Sequence, residues 1–283
     1  MNVVLGGGIS GLLVASRIAG SLVIESQNKV GGVFAFEEIL GYKVPLYPPI
    51  LSNQCHSDLF SFKDLDFNVV YEKEEYLREK LGVDKIPDWL IFKDSNKYYY
   101  VNNLYDIFDS LQKRVRIKFS SSFFIKNDKI VLASGEIIRP EIIYSTISRK
   151  MLGDNVKSIS LVEGVFVVNK KKTNWDVIIV GDKGFSFSHV LKIGFISDEF
   201  DFIYVLAPFT KIPSWDKIYS DLKRKRVLEK SEIIAFRHRI ISDGILIENE
   251  KLETSRGNIV FCGRLGKWRN FNLCQTVDDS LQC

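Results

Sequence analysis

Only three histidines and four cysteines occur among the 283 residues, and that scarcity removes several chemistries at once. No two cysteines are spaced C-x-x-C, and Cys55, Cys262, Cys274 and Cys283 have only His56, His189 and His238 to join them. A zinc site is therefore not expected. Cys55 stands beside His56, but neighbours in sequence rarely face one another in space, so the pair is not read as a thiol nucleophile. So few cysteines in a chain this long point to a reducing compartment. No apolar run approaches the roughly 20 residues of a membrane-spanning helix. The first 24 residues are apolar, yet they lack a basic start and glycines interrupt them, which argues against a signal peptide. A soluble cytoplasmic protein is expected. Repeats and low-complexity segments are also lacking, and 26% charged with 46% hydrophobic residues excludes a disordered chain. The net charge of +4 is spread thinly, and the basic runs Lys170–Lys172 and Lys223–Arg226 are short. They read as solvated surface, and no nucleic-acid partner is expected.

What the chain does contain is concentrated at its two ends. A short β-type run closing at Leu5 leads into Gly6-Gly7-Gly8-Ile9-Ser10-Gly11, and Leu12–Ala19 continues as a helical stretch. Gly6, Gly8 and Gly11 fit G-x-G-x-x-G: a tight turn, close backbone approach to a pyrophosphate, and tight helix–strand packing. The N–H groups opening the helix, from Ile9 and Ser10 onward, suit phosphate. A second strand, Ser21–Ile24, ends in Glu25, 19 positions after Gly6, where a carboxylate accepts from ribose hydroxyls. Ser26 follows it, and Gly31-Gly32 come six residues after the acid.

This combination resembles the flavoprotein superfamily of amine oxidases, protoporphyrinogen oxidases, phytoene desaturases and UDP-galactopyranose mutases. In that superfamily a G-G pair after the acid approaches the FAD pyrophosphate and ribityl chain. Two departures stand out: the helix-to-strand connection is shorter than usual, and Val33 replaces the arginine that amine oxidases carry after G-G. Gly41 to Pro49 occupies the position of a Gly-Pro-His-like turn under the flavin, without the histidine. Tyr98–Leu111 resembles the superfamily's helix before an interior strand. Val115–Phe119, Phe123–Lys126 and a hairpin around Ser134-Gly135 follow, and Ile142–Ile147 resembles the strand that rejoins the first sheet. The resemblance implies that backbone near Phe123 meets the adenine.

Four stretches, Leu161–Val168, Trp175–Val180, His189–Phe195 and Phe202–Leu206, read as an antiparallel sheet. Trp215–Lys230 has helical spacing. The aromatic residues here, with His189 and His238, are taken as structural. At the far end, Gly263-Arg264-Leu-Gly-Lys-Trp-Arg269-Asn-Phe-Asn272-Leu273 resembles the C-terminal flavin motif of the mutases. The resemblance places Gly263 and Arg264 on the pyrophosphate and the helix opened by Asn272 and Leu273 at the flavin ring, with Asn272 as N-cap.

The expected fold is α/β: a Rossmann-like FAD-binding domain, of the two-dinucleotide-binding-domain flavoprotein type, with a second lobe built on an antiparallel β-sheet. Residues 1–48, 103–150 and 254–283 are assigned to the first, and 49–102 and 151–253 to a substrate or cap lobe. The implied function is an FAD-dependent oxidoreductase whose flavin N5 accepts hydride from a small organic substrate. The alternatives are a UDP-galactopyranose mutase-like non-redox flavoenzyme, with Arg237, Arg239, Arg264 and Arg269 holding a diphosphate, or a flavin-free binding protein of the same fold. Only 50 residues separate Tyr47 from Tyr98, where the mutases insert a larger cap. An exposed site, or one covered by a partner subunit or protein, is therefore expected.

Overall fold

Alternation along Val3-Val4-Leu5 sets the first layer of the computed structural model, which describes residues 1–56, 58–94, 96–126, 128–248 and 252–283. Its helices are α1 (Ile9–Arg17), α2 (Leu77–Leu81), α3 (Leu104–Arg114), α4 (Trp215–Arg224), α5 (Gly263–Lys267) and α6 (Leu273–Gln282). Strand Val3–Leu5 lies between Ile143–Ser145 and Leu22–Ile24, with Val3 level with both Ile143 and Leu22. Ile259–Phe261 and Arg116–Lys118 extend this parallel sheet on either side, and Ser255–Arg256 adds an antiparallel edge. Side chains alternate across a strand. Val4 therefore packs with Val14 and Ala15 of α1. Val3 and Leu5 face Ile130, Leu132 and Ile138, which belong to a small meander on the opposite side.

Helices α1, α3 and α6 share one hydrophobic layer. In α3 the buried residues Leu104, Ile107, Phe108 and Leu111 follow the i, i+3, i+4, i+7 stripe of a one-sided helix. The sequence pattern Tyr98–Leu111 is thus not one helix. Lys97–Val101 is a strand with alternating burial, and α3 begins only after the Asn102-Asn103 turn. The run of tyrosines and valine fits a pleated surface better than a helix.

A second six-stranded sheet runs in the order Ile233–Ile247, Lys157–Asn169, Phe200–Phe209, His189–Ile193, Val177–Val180, Val69–Glu72. All its pairs are antiparallel except the last, which is parallel. Both faces are covered. Leu161, Val165 and Val167 meet α2 and the strands around Tyr98 and Tyr100, while Val162, Phe166 and Val168 meet Ile218 and Leu222 of α4. Burial on two sides accounts for the nearly unbroken apolar run in that strand. Strand Ile233–Ile247 was not expected, because Arg237-His238-Arg239 and Ser242-Asp243-Gly244 break any apolar period. It sits at the sheet edge with one side in solvent, so polar residues are tolerated. Helix α4 ends at Arg224, short of the expected Lys230, where Arg226 turns to a φ of +58°. Among the described residues no helix is long and apolar enough to cross a membrane.

Candidate functional site

The glycine turn sits at the C-terminal end of strand Val3–Leu5, and its three motif glycines are held there for different reasons. Gly6 has a φ of +99°, and a Cβ on it would lie 2.7 Å from Thr146 Oγ1. A Cβ on Gly11 would overlap the Gly6 carbonyl oxygen. The chain's own packing therefore demands glycine at both positions. Gly8 differs: its φ is −75°, and an added Cβ would meet nothing nearer than Gly32 Cα at 3.9 Å. No clash and no positive φ requires glycine there, and its place as N-cap of α1 favours glycine over alanine only modestly. Helix α1 starts at that residue with no side-chain cap and no acidic residue in its first turn. An uncapped helix start of this kind offers N–H groups and partial positive charge to an anion.

Glu25 folds back onto this turn. Its Oε2 accepts from Gly7 N at 2.6 Å, and its Oε1 accepts from Gln27 N at 2.7 Å and Ser26 Oγ at 3.2 Å. The segment leading to Phe123 passes close by, since Ser121 N donates to Glu25 O at 3.0 Å. Gly31 donates its N–H to Gly7 O at 2.9 Å, and its φ of +123° admits no side chain. Gly32 then faces Gly8 across the start of α1.

The C-terminal turn joins the same place. Gly263, at a φ of +69°, lies so close to Ser10 that any Cβ would overlap that side chain, and its N–H donates to Asp279 Oδ2 at 2.6 Å. Arg264 reaches strand Ile233–Ile247 and donates to the Asp243 and Gly244 carbonyls. Trp268, fully buried, donates Nε1 to Ile247 O at 3.0 Å and holds the turn between α5 and α6. Asn272 caps α6 in a reciprocal box with Gln275, each bond 3.0 Å long. Replacing Asn272 by alanine is expected to cost about 1 kcal/mol, read as a lower denaturant midpoint.

Where the second six-stranded sheet meets the Gly31-Gly32 turn lies a cluster that the sequence motifs did not announce. Glu163, 1% exposed, sits opposite Arg239 on the neighbouring strand, and Arg239 Nε donates to its Oε2 at 2.6 Å. The same guanidinium donates to Gly32 O at 2.9 Å and to Val33 O. It thereby ties the second sheet to the Gly-Gly turn. Burial pushes the Glu163 carboxyl up to about 7, against the pull of Arg239. Burial likewise brings Arg264 down to about 10 and raises the Tyr47 hydroxyl, with Glu163 adding to the latter. The Tyr47 and Trp89 rings meet edge to face at 5.8 Å, and the Arg264 guanidinium lies 5.8 Å from the Trp89 ring. Glu163 Oε1 and Trp89 Nε1 are buried without a hydrogen-bond partner among the described residues. A single acid inside the apolar run Leu161–Val168 was the available signal, since glutamate is seldom buried unless it is paired or used.

Of the four arginines grouped as diphosphate ligands, only Arg239 and Arg264 reach this cluster. Arg269 pairs with Glu248 at 3.1 Å, and Arg237 turns to solvent onto its neighbour's carbonyl. A narrow cleft with little enclosed space adjoins the cluster at Trp89, lined by Ser52, Tyr98 and Asn272 among others. His189 is fully buried between Ser188 Oγ and Leu90 O, and burial lowers it to about 4. His238 stacks on Phe236 at 5.2 Å. The cysteines correct one expectation: all four are paired, Cys55 with Cys274 and Cys262 with Cys283, so they lend no support to a reducing compartment. The first pair joins residues 219 positions apart, which no spacing rule in the sequence reveals.

No family model matches the sequence, and no curated protein matches it. Solved structures do. A reduced UDP-galactopyranose mutase superposes with a TM-score of 0.73 at 11% identity, covering 99% of this chain and 92% of that one. A proposed protoporphyrinogen oxidase from Exiguobacterium sp. 255-15 gives 0.69 at 12% identity, covering 99% and 97%. An oxidoreductase from Methanosarcina mazei gives 0.66 at 12% identity, over 100% of both chains. In fold, the chain is similar to these three structures over nearly its whole length.

Proposed function

We propose that this chain binds FAD across its two ends and acts as an FAD-dependent oxidoreductase of the amine oxidase/protoporphyrinogen oxidase type on a small organic substrate. The observation that carries this reading is Gly8: a glycine that the fold does not require, at an uncapped helix start, facing a second glycine at position 32. In this reading the parallel sheet is the core of a Rossmann-like domain of residues 1–48, 103–150 and 254–283. Residues 49–102 and 151–253 form the substrate lobe. Glu25 and Ser26 hold the adenosine ribose, and backbone at Phe123 lies against the adenine. The N–H groups of Ile9, Ser10 and Gly11 receive the diphosphate, with Gly31 and Gly32 covering it. Gly263, Arg264, Asn272 and Leu273 close the far side.

Bound flavin supplies a two-electron acceptor for hydride. The protein's own part is to bind, orient and exclude water. Arg239 fixes the Gly-Gly turn, and the Glu163 carboxyl, poised near neutrality, holds or releases a proton beside Arg239 and near Tyr47. The small cap favours a site completed by a partner subunit or protein. The Gly263-Arg264 motif and the likeness to the mutase fold also support non-redox chemistry on a sugar nucleotide.

A flavin-free binding protein is the second reading. Three observations favour it: Gly263 packs directly on Ser10, Asp279 already occupies the Gly263 N–H, and the cleft beside Trp89 and Asn272 encloses little space. The absorption spectrum of purified protein separates the two. The visible bands of an oxidised flavin, with FAD released on heating, are expected. A colourless protein that stays colourless when FAD is added would give the binding-protein reading precedence.

A further inference from the structure

We propose that the Cys55–Cys274 disulfide is a thiol-exchange site, taking electrons from dithiols while the fold stays intact, and that Cys262–Cys283 is a structural staple. Both bonds hold α6, at opposite ends, and their surroundings differ. Cys262 is fully buried among Val4, Val14 and Val23 beneath α1. Cys55 and Cys274 are half-buried, and the approach runs along Ser52-Asn53-Gln54, all exposed. Cys283 is half-buried as well, but a thiolate attacking it would have to expel Cys262 as an anion into an apolar core, whereas attack on Cys55 expels Cys274 in the first turn of a helix.

A second contact spans the same two segments. His56 Nε2 lies 3.1 Å from Asp278 Oδ1, one helical turn beyond Cys274, without the angle of a hydrogen bond. The segment is further anchored where Leu59 and Phe60 donate to His56 O at 2.8 and 2.7 Å. His56 itself is a non-glycine residue at a φ of +49°, a strained conformation of the kind found at working sites. Breaking the S–S bond therefore leaves the two sulfurs tethered near each other, which makes re-formation rapid.

The exchange balances as follows. A donor thiolate attacks Cys55 Sγ, forming a mixed disulfide as the Cys55–Cys274 bond breaks. Cys274 departs as thiolate from the first turn of α6, where the helix N-terminus favours negative charge, and then takes a proton. The donor's second thiol displaces Cys55, which leaves protonated, and the donor departs as its own disulfide. Two electrons and two protons pass from the dithiol to the chain. Because Asn272, the cap of α6, borders the cleft beside Trp89, the redox state of this pair sets how firmly that helix end is held there. The exchange itself does not depend on the flavin reading.

The test is graded dithiothreitol treatment of the full chain without denaturant, quenching with an alkylating agent, and mass spectrometry of each cysteine peptide. Cys55 and Cys274 are expected to label at least about tenfold faster than Cys262 and Cys283, with unchanged far-ultraviolet circular dichroism. Joint labelling of all four, only as the protein unfolds, would overturn the proposal, as would earlier opening of Cys262–Cys283. In the Cys55→Ser variant, oxidised glutathione is expected to trap Cys274 as a mixed disulfide in folded protein. A folded variant that forms no such adduct also overturns it.

Discussion

Replacing Arg239 by methionine is expected to destabilise the protein by about 3 kcal/mol at pH 8, with a smaller loss at pH 6. Among the described residues the guanidinium is the only ion-pair partner of Glu163, which is 1% exposed. Removing it strands a buried carboxylate, which can then escape only by taking a proton. Below neutrality that escape is cheap, because burial already holds the carboxyl near 7. Above neutrality it grows costlier with every pH unit. The wild type carries a weaker form of the same dependence. Its carboxyl titrates at about 7 folded against 4.5 in the unfolded reference, so between those values the folded state binds more protons. Stability then falls as pH rises through that window and is level on either side, by about 3 kcal/mol if the full shift is realised. Glu163→Gln should remove this slope, as read by urea midpoints at pH 5 and pH 8. The double variant Glu163→Leu with Arg239→Met should recover most of the single-variant loss, because well-packed apolar residues replace a buried pair at little net cost. A single Arg239→Met change without effect at pH 8 would mean that Glu163 has another counter-charge.

The contrast between what was legible and what was not follows sequence distance. The glycine turn, the acid ending Leu22–Ile24 and the Asn272 cap are local: each constraint acts over a few residues, and the residue type reports it directly. The four antiparallel runs were readable because both of their faces are buried and the composition is correspondingly apolar. Strand Ile233–Ile247 was not, since an edge strand half in solvent need not alternate cleanly. The Glu163–Arg239 pair depends on register between strands 76 positions apart. The Cys55–Cys274 pair depends on α6 packing against α1, beside the segment that carries Cys55. Such juxtapositions are properties of the assembled sheets and helices, so the Glu163–Arg239 cluster became visible only with the fold.

The glycine turn provides the sharpest separation of folding from binding, because two glycines of one motif are expected to respond in opposite ways. Gly11→Ala drives a methyl into the Gly6 carbonyl oxygen, and backbone on both sides is fixed by the parallel sheet and by α1. A loss of about 3 kcal/mol or more is expected, enough to leave much of the protein unfolded. Gly8→Ala meets no such obstacle. At a φ of −75° and with 3.9 Å to the nearest atom, the methyl is expected to cost no more than about 1 kcal/mol, the ordinary preference for glycine over alanine at an N-cap. Yet that methyl projects where a diphosphate would approach the α1 N–H groups. If FAD binds there, affinity should drop by about a hundredfold, a little under 3 kcal/mol, while the melting temperature of the cofactor-free protein falls only slightly. Titration of both variants with FAD, alongside thermal unfolding, separates the outcomes. A Gly8→Ala protein that melts normally and binds FAD normally would remove the observation on which the cofactor reading rests.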